Sequence, residues 1–145
     1  MKTLLLLLLL LAPISCRSAV EPELFQGSQD PALLPGDPWR LERIASSAGT
    51  ISSARAKLTV HFTAEGRLGG AAGPNGYGGR YTATPAGQIR MEEVVTTLIG
   101  GPEAERAGGY LSSMVRAHSF EATPAELRLY FGEAGHLHFR RQTQP

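Results

Sequence analysis

The sequence predicts an α+β fold, in which one α-helix packs against an antiparallel, strongly curved β-sheet or partly open β-barrel. Roughly seven or eight short segments alternate apolar and polar residues, as half-buried strands do. Only one segment, late in the chain, spaces its apolar residues as an amphipathic helix does. The links between segments are short, which favours antiparallel pairing because parallel strands need long crossover connections.

The first predicted strands begin at Trp39. Residues 39–44 alternate apolar and polar side chains, and the small, polar residues 45–53 then predict a loop. Residues 58–62 place their apolar side chains on one face, and a tight turn at Gly66 leads into residues 68–72. This return strand is built of small residues, so it either allows close backbone approach or leaves a cavity.

A glycine-rich segment, residues 73–79, is predicted to be a loop before the strand 80–84. It lacks the Gly-Lys-Ser/Thr ending and the following helix of a phosphate-binding loop, which favours a structural turn that closes the sheet. Asn75 is expected to bond the loop backbone, and Tyr77 to be an exposed contact at the tip. The candidates for binding or for shaping the loop are Asn75, Tyr77, Arg80, Thr96 and Thr97.

The single helix is predicted to open at Pro102, where a missing N–H costs little. Gly108 and Gly109 weaken it, so we expect close packing onto the sheet at these positions. A strand at 89–95, in which Glu93 interrupts the alternation, precedes the helix, and strands near 127–131 and 136–140 follow it. The apolar stripe of the helix consists of Ala107, Tyr110, Leu111, Met114, Val115 and His118.

The N-terminal residues 1–15 have the pattern of a signal peptide. Lys2 precedes the leucine run Leu4–Leu11, which is much shorter than the ~20 residues of a spanning helix. Cys16, the one cysteine of the chain, follows at the position where a bacterial lipoprotein signal is lipidated, although Pro13 departs from that pattern. The alternative is an ordinary signal cleaved after Ser18. Residues 16–38 are then expected to be a lipidated N-terminus and a flexible tether, rich in Pro, Gly and Ser.

Composition and motif patterns narrow the chemistry. The net charge is +1, and removal of residues 1–15 leaves 13 basic and 13 acidic side chains, so no basic footprint for nucleic acid is present. No nucleophile-elbow motif occurs, so no catalytic residues are assigned and no enzyme is expected. Solvent exposure is the favoured interpretation of the strand histidines His61, His136 and His138, and a core-edge position that of His118. No metal or cofactor is expected.

The residues of the predicted domain resemble the META domain family, which includes HslJ-like envelope proteins. The resemblance covers about residues 39–140, within a predicted domain of residues 39–141 that leaves 142–145 as a tail. It is carried, in order, by Trp39-Arg40-Leu41, Leu58-Thr59-Val60-His61-Phe62, Glu65-Gly66-Arg67, residues 73–81 with Pro74-Asn75 and Tyr81, Thr96-Thr97-Leu98, the helix, Leu127-Arg128-Leu129 and Leu137-His138-Phe139.

The resemblance implies a half-barrel closed by a helix, similar to the lipid-binding pilotin lipoproteins, and a role in envelope stress or drug tolerance without enzyme activity. Pro74 and Gly101 stand where family members carry cysteines, so a disulfide or redox role is absent. Arg17 after Cys16 implies the outer membrane, facing the periplasm. We therefore expect a lipid-anchored protein that binds an envelope partner. The alternatives are a carrier of a small apolar or lipid ligand and, third, a hydrolase.

Overall fold

The strands form where apolar and polar side chains alternate. The computed structural model describes residues 24–52 and 57–143, so the predicted signal peptide and Cys16 lie outside the described residues. The strands and the helix are β1 (Trp39–Ser46), β2 (Gly49–Ser52), β3 (Leu58–Phe62), β4 (Arg67–Ala72), β5 (Asn75–Ala83), β6 (Ile89–Thr96), α1 (Pro102–Val115), β7 (Ala117–Ala122), β8 (Glu126–Phe131) and β9 (Gly135–Arg141).

All paired strands run antiparallel in one sheet, in the order β6-β5-β4-β3-β1-β9-β8-β7, with β2 as a hairpin partner of β1. The ends of this path meet where Gln88, before β6, bridges Ser119 of β7. The amide of Phe120 also donates to the carbonyl of Gly87 at 2.9 Å. The predicted α+β fold with a strongly curved, partly open barrel is thereby confirmed.

Aromatic side chains fill the interior of the barrel. Trp39, Phe62, Tyr110, Phe120 and Phe139 are fully buried. The helix packs against β4, β6 and β8 and contributes Tyr110 to this core. Burial of side chains this large supplies most of the driving force for folding, since each removes a large apolar area from water. Among the described residues, no helix is long and apolar enough to span a membrane.

The helix is shorter than its predicted stripe. It ends at Val115, because β7 begins at Ala117 and pulls the chain into the sheet. Val115 is 49% exposed and His118 lies exposed on β7, whereas Ser113, expected off the stripe, is buried. The prediction that the two helical glycines pack closely on the sheet is wrong, since a Cβ added at Gly108 or Gly109 would meet nothing within 4 Å.

The glycine-rich segment is mostly strand. The turn comprises only Gly73, with φ of 64°, and Pro74, and β5 begins at Asn75. A Cβ at Gly79 would lie 2.9 Å from the Glu92 carbonyl oxygen, so glycine is required where β5 and β6 shift register. This bulge contains Glu93, with φ of 53°, which explains the interrupted alternation. Glu92 and Glu93 are both exposed.

Residues 24–38 differ from the flexible tether that we expected. Ser28 pairs with Ala122 of β7 through two backbone hydrogen bonds of 2.7 and 2.8 Å. Leu34 is fully buried, and its carbonyl accepts a hydrogen bond of 3.0 Å from the indole of Trp39. Arg141 donates to the carbonyls of Pro35 and Leu33. These residues form a strap on the barrel, which the sequence concealed because its polar and turn-forming composition is typical of linkers.

Replacing Leu34 with alanine is expected to lower the free energy of unfolding by about 2–5 kcal/mol, because it empties a fully buried site. Urea denaturation measures the loss. The half-buried neighbour Leu33 is the matched control, and Leu33→Ala should cost clearly less. Equal and small losses for the two variants would show that the strap does not belong to the folded unit.

Candidate binding site

The side-chain amide of Asn75 holds the segment between β6 and α1. Its Nδ2 donates to the carbonyl of Ile99 at 3.0 Å. Its Oδ1 accepts from the amide of Ile99 at 2.7 Å and from the hydroxyl of Thr97 at 3.0 Å. One side chain thus fixes the chain on both sides of Leu98. Asparagine suits this position because it offers both donors and acceptors to a neighbouring backbone.

Gly76, the next residue of β5, adds a second set of bonds to the same segment. Its amide donates to the Thr97 hydroxyl at 3.2 Å, and its carbonyl accepts from the Thr97 amide at 3.0 Å. The hydroxyl of Thr96, which has one proton, lies 3.2 Å from this carbonyl oxygen and 3.0 Å from that of Thr97. Asn75, Gly76, Thr96 and Thr97, here called the clamp, therefore fix residues 97–99 as a defined structure and not as a loose loop.

An apolar groove lies between the clamped segment and helix α1. Its volume is about 430 Å³. The side chain of Leu98 is 94% exposed and that of Ile99 is 54% exposed. Glu105 is the one charged side chain among the described residues that line it. The other residues on which the argument depends are Ala72, Ala104, Ala107, Gly108 and Leu111.

The structure brings together three of the five candidate residues that were identified from sequence. Asn75, Thr96 and Thr97 meet in the clamp, where Asn75 bonds Thr97 and the backbone of Ile99 and not, as was expected, the backbone of its own turn. Arg80 lies apart from them, exposed, and lines a different cleft of about 700 Å³ with Glu65 and Glu93. The sequence did not single out Ile99, and it singled out Gly108 only for packing on the sheet and not for a binding site. An apolar pair between two threonines and two glycines was the available signal for the exposed Leu98–Ile99 segment.

Tyr77 is buried, so the prediction of an exposed contact at a loop tip is wrong. Its hydroxyl lies 2.8 Å from the carbonyl oxygen of Thr59 and 2.7 Å from the hydroxyl of Tyr110. The Tyr110 hydroxyl is 3.1 Å from the same carbonyl. Two hydroxyl protons serve these three contacts, and the two shortest distances fit donation from Tyr110 to Tyr77 and from Tyr77 to Thr59. Tyr77 lies in strand β5 and not in a loop, and the alternation of the strand directs its ring inward.

The small-residue strand β4 leaves no cavity at Gly70. A Cβ added at this residue would overlap the carbonyl oxygen of Thr59 and lie 2.9 Å from the Tyr77 hydroxyl. The space that the sequence suggested for a ligand is therefore taken by the tyrosine pair and the adjacent strand. Glycine is required here for the close approach of Thr59 and Tyr77.

Burial raises the pKa of the Tyr77 hydroxyl and that of the fully buried Tyr110 hydroxyl. The unfolded chain releases these tyrosine protons near pH ~10, whereas the folded protein holds them to a higher pH. The stabilising contribution of each hydroxyl is therefore fully present below about pH 10 and is lost as the pH rises from there toward the folded-state pKa. We therefore expect the free energy of unfolding to fall above about pH 10. Urea denaturation between pH 8 and 11 tests this. Tyr110→Phe should show a shallower fall, and an unchanged slope would contradict the assignment.

The histidines do not all face solvent as expected. Of the strand histidines, His61 is exposed, His136 is half-buried and His138 is only 4% exposed. His118, expected at the core edge, is exposed. Residues of the strap cover part of the outer sheet face, and the ring of Phe25 lies 6.4 Å from that of His138. Among the described residues no three His, Cys, Asp or Glu side chains are arranged to hold a metal ion.

Comparison with known proteins identifies related folds. The family model of the META domain matches residues 32–144. A protein from Burkholderia xenovorans, solved by NMR, is similar with a TM-score of 0.67 and 20% identity, over 92% of this chain and 100% of that one. A DUF4847 family protein from Bacteroides vulgatus is similar with a TM-score of 0.61 and 11% identity, over 79% of this chain and 98% of that one. The comparison with curated proteins found no match.

Proposed function

The chain belongs to the META domain family, and from this premise we propose that it is a non-enzymatic, lipid-anchored protein of the cell envelope. It acts in stress or drug tolerance by binding an envelope protein in the groove beside Leu98 and Ile99. Cys16 carries the lipid, and the domain faces the periplasm from the outer membrane. The observation that carries the proposal is an exposed apolar segment held in a fixed conformation.

The clamp makes the exposure of Leu98 informative. Leu98 is 94% exposed, yet the residues on both sides of it are bonded to Asn75. An apolar side chain on a loose loop could turn toward the protein surface, whereas the bonds of the clamp hold this one outward. A surface that is already ordered loses little conformational entropy on binding, which favours association.

The lining of the groove specifies the chemistry of the partner. The walls are formed by alanine, leucine and isoleucine side chains, and Glu105 places one negative charge at the groove. A Cβ added at Gly108 would meet nothing within 4 Å, so the chain itself does not require this glycine for packing. Gly108 lets a partner backbone approach the helix. The groove therefore suits a protein segment that presents an apolar side chain together with a lysine or arginine.

A carrier function receives less support from the geometry. The space at Gly70, where a ligand cavity was considered, is occupied by Thr59 and Tyr77. The large aromatic side chains of the barrel are fully buried against one another. Protein binding at the groove is therefore the function that we propose.

Affinity purification from native envelopes tests the site. Leu98→Gln should reduce the recovered partner at least tenfold, which corresponds to about 1.4 kcal/mol of binding free energy. Val115→Gln is the control, since Val115 is also exposed but does not line the groove. Equal recovery with both variants, or an equal loss, would contradict binding at the groove.

Anchoring is tested separately by mass spectrometry of the protein from the membrane fraction. The proposal requires a mature chain that starts at an acylated Cys16. A chain that starts after Ser18, or one with an unmodified Cys16, would refute the lipid anchor but would leave binding at the groove to be judged by the purification experiment.

A further inference from the structure

A second polar site lies on the outer face of the sheet, across three neighbouring strands. His138 of β9 pairs in register with Arg43 of β1 on one side and with Arg128 of β8 on the other. Because neighbouring strands lie about 4.8 Å apart, the two arginines flank the histidine in one row. A cleft of about 510 Å³ is lined by this row, by Phe25 and by Glu42, Glu126 and Arg140.

The carboxylates of this cleft are already paired. Glu42 lies 2.8 Å from Nε of Arg140, and Glu126 lies 3.5 Å from a terminal nitrogen of the same guanidinium. Glu126 also lies 3.3 Å from Nε2 of His138. Within the described residues, neither Arg43 nor Arg128 forms an ion pair with a carboxylate. Three arginines against two glutamates leave the cleft with an excess of one positive charge.

Two buried nitrogen atoms of the row lack hydrogen-bond partners within the described part of the chain. They are Nε of Arg128 and Nδ1 of His138. The first can only donate, so an acceptor is the group that would satisfy it. The ring of Phe25 lies 4.4 Å from the guanidinium carbon of Arg128 and covers one face of it. Buried polar atoms are normally paired, so the guanidinium of Arg128 is incompletely satisfied within the described residues.

We propose that this cleft binds a phosphate group, whose oxygens accept hydrogen bonds from Arg43 and Arg128. A guanidinium matches the geometry of phosphate oxygens and remains charged at all relevant pH values. The two glutamates of the cleft stay with Arg140 and His138. Arg128 also hydrogen-bonds the Tyr130 hydroxyl, so its remaining N–H groups and those of Arg43 are the donors for the phosphate. This site is separate from the groove and does not depend on the proposed function.

The phosphate has two possible sources, a soluble phosphate compound and an anionic lipid headgroup. The lipid is worth testing because the chain leaves the cleft at Leu24, which lines it. The eight Cα-to-Cα steps from Cys16 to Leu24 can span at most about 28 Å when extended. A lipid attached to Cys16 would keep the cleft within that distance of a membrane surface.

The experiment is an NMR titration of the mature chain with inorganic phosphate, accompanied by flotation with phosphatidylglycerol vesicles and with phosphatidylcholine vesicles. We expect phosphate to shift the resonances of Arg43, Arg128 and His138. Arg43→Gln and Arg128→Gln should each weaken binding at least tenfold. Arg67→Gln is the matched control, since it removes the same charge from exposed Arg67 on β4. Thermal melting of each variant verifies the fold.

Loss of phosphatidylglycerol binding in Arg43→Gln, together with loss of phosphate binding, would support the site and identify a headgroup as the source. Phosphate binding without vesicle binding would support the site with a soluble ligand. Absence of shifts at the three residues with no vesicle binding would overturn the proposal. Equal weakening by Arg43→Gln and Arg67→Gln would also overturn it, because it would indicate general charge attraction.

Discussion

Gly70→Ala is expected to lower the free energy of unfolding by about 3 kcal/mol, which is a large effect for the addition of one methyl group. The added Cβ would overlap the backbone carbonyl oxygen of Thr59, which cannot move without shifting β3. It would also lie 2.9 Å from the Tyr77 hydroxyl and disturb the bonds between Tyr77 and Tyr110. A backbone clash leaves fewer ways to relax than a clash with a flexible side chain.

Urea denaturation of the purified domain measures this loss. Gly78→Ala is the control, because its added Cβ would lie at an ordinary distance of 3.6 Å from the Leu68 carbonyl oxygen. Alanine costs less conformational entropy than glycine in a strand, so the control should be neutral or slightly stabilising. A small loss for Gly70→Ala, similar to that of the control, would show that β3 and β4 are not as close as described.

Asn75→Ala is expected to lower the free energy of unfolding by roughly 2–3 kcal/mol, since it deletes three hydrogen bonds worth about 1 kcal/mol each. It should also free Leu98 from its fixed position and reduce the recovery of the envelope partner. Stability alone would not distinguish the clamp from ordinary loop support, so the measurement needs a local readout.

Hydrogen exchange of the Ile99 amide supplies that readout, because this amide donates to Asn75 at 2.7 Å. Exchange should accelerate strongly in Asn75→Ala, while amides in the central strands stay protected. Thr82→Ala, at an exposed position on the same strand, is the control and should leave the Ile99 amide protected. Unchanged exchange at Ile99 in Asn75→Ala would rule out the clamp.

The sequence was sufficient for the parts of the fold that depend on periodicity. Leu58, Val60 and Phe62 alternate with polar residues, and all three are buried. The interruption at Glu93 was visible as well, and it corresponds to a bulge. In a strand, every second side chain lies on the same face of the sheet. The alternation of apolar and polar residues in the sequence therefore predicts which side chains are buried.

Elements that depend on tertiary contacts were not predictable in this way. Tyr77 was expected in a glycine-rich loop, but β5 begins at Asn75, and strand geometry turns the Tyr77 ring inward. The strap was mistaken for a linker because Pro, Gly and polar residues surround its few apolar side chains. The bonds that hold it come from Trp39, five residues after Leu34, and from Arg141, at the other end of the domain. The sequence also could not show whether the space beside Gly70 is empty or is filled by a neighbouring strand.

The candidate site was predicted in its polar part and missed in its apolar part. Asn75, Thr96 and Thr97 were identified because turn-forming polar residues often bond loop backbone, although Asn75 bonds the segment 97–99 and not its own turn. Leu98 and Ile99 were not, since apolar residues are by default expected to be buried, and their exposure follows from the bonds on either side. The short sequence Thr-Thr-Leu-Ile-Gly-Gly specifies this arrangement only together with Asn75, which lies more than twenty residues earlier.

A photoreactive amino acid at position 98 tests the central claim most directly. After irradiation of native envelopes, we expect one dominant protein adduct that depends on position 98 and weakens when Asn75→Ala is added. The same photoreactive residue at position 115, exposed but outside the groove, should not give this adduct. Identical adducts from both positions, or adducts with lipid alone, would contradict protein binding at the clamped segment.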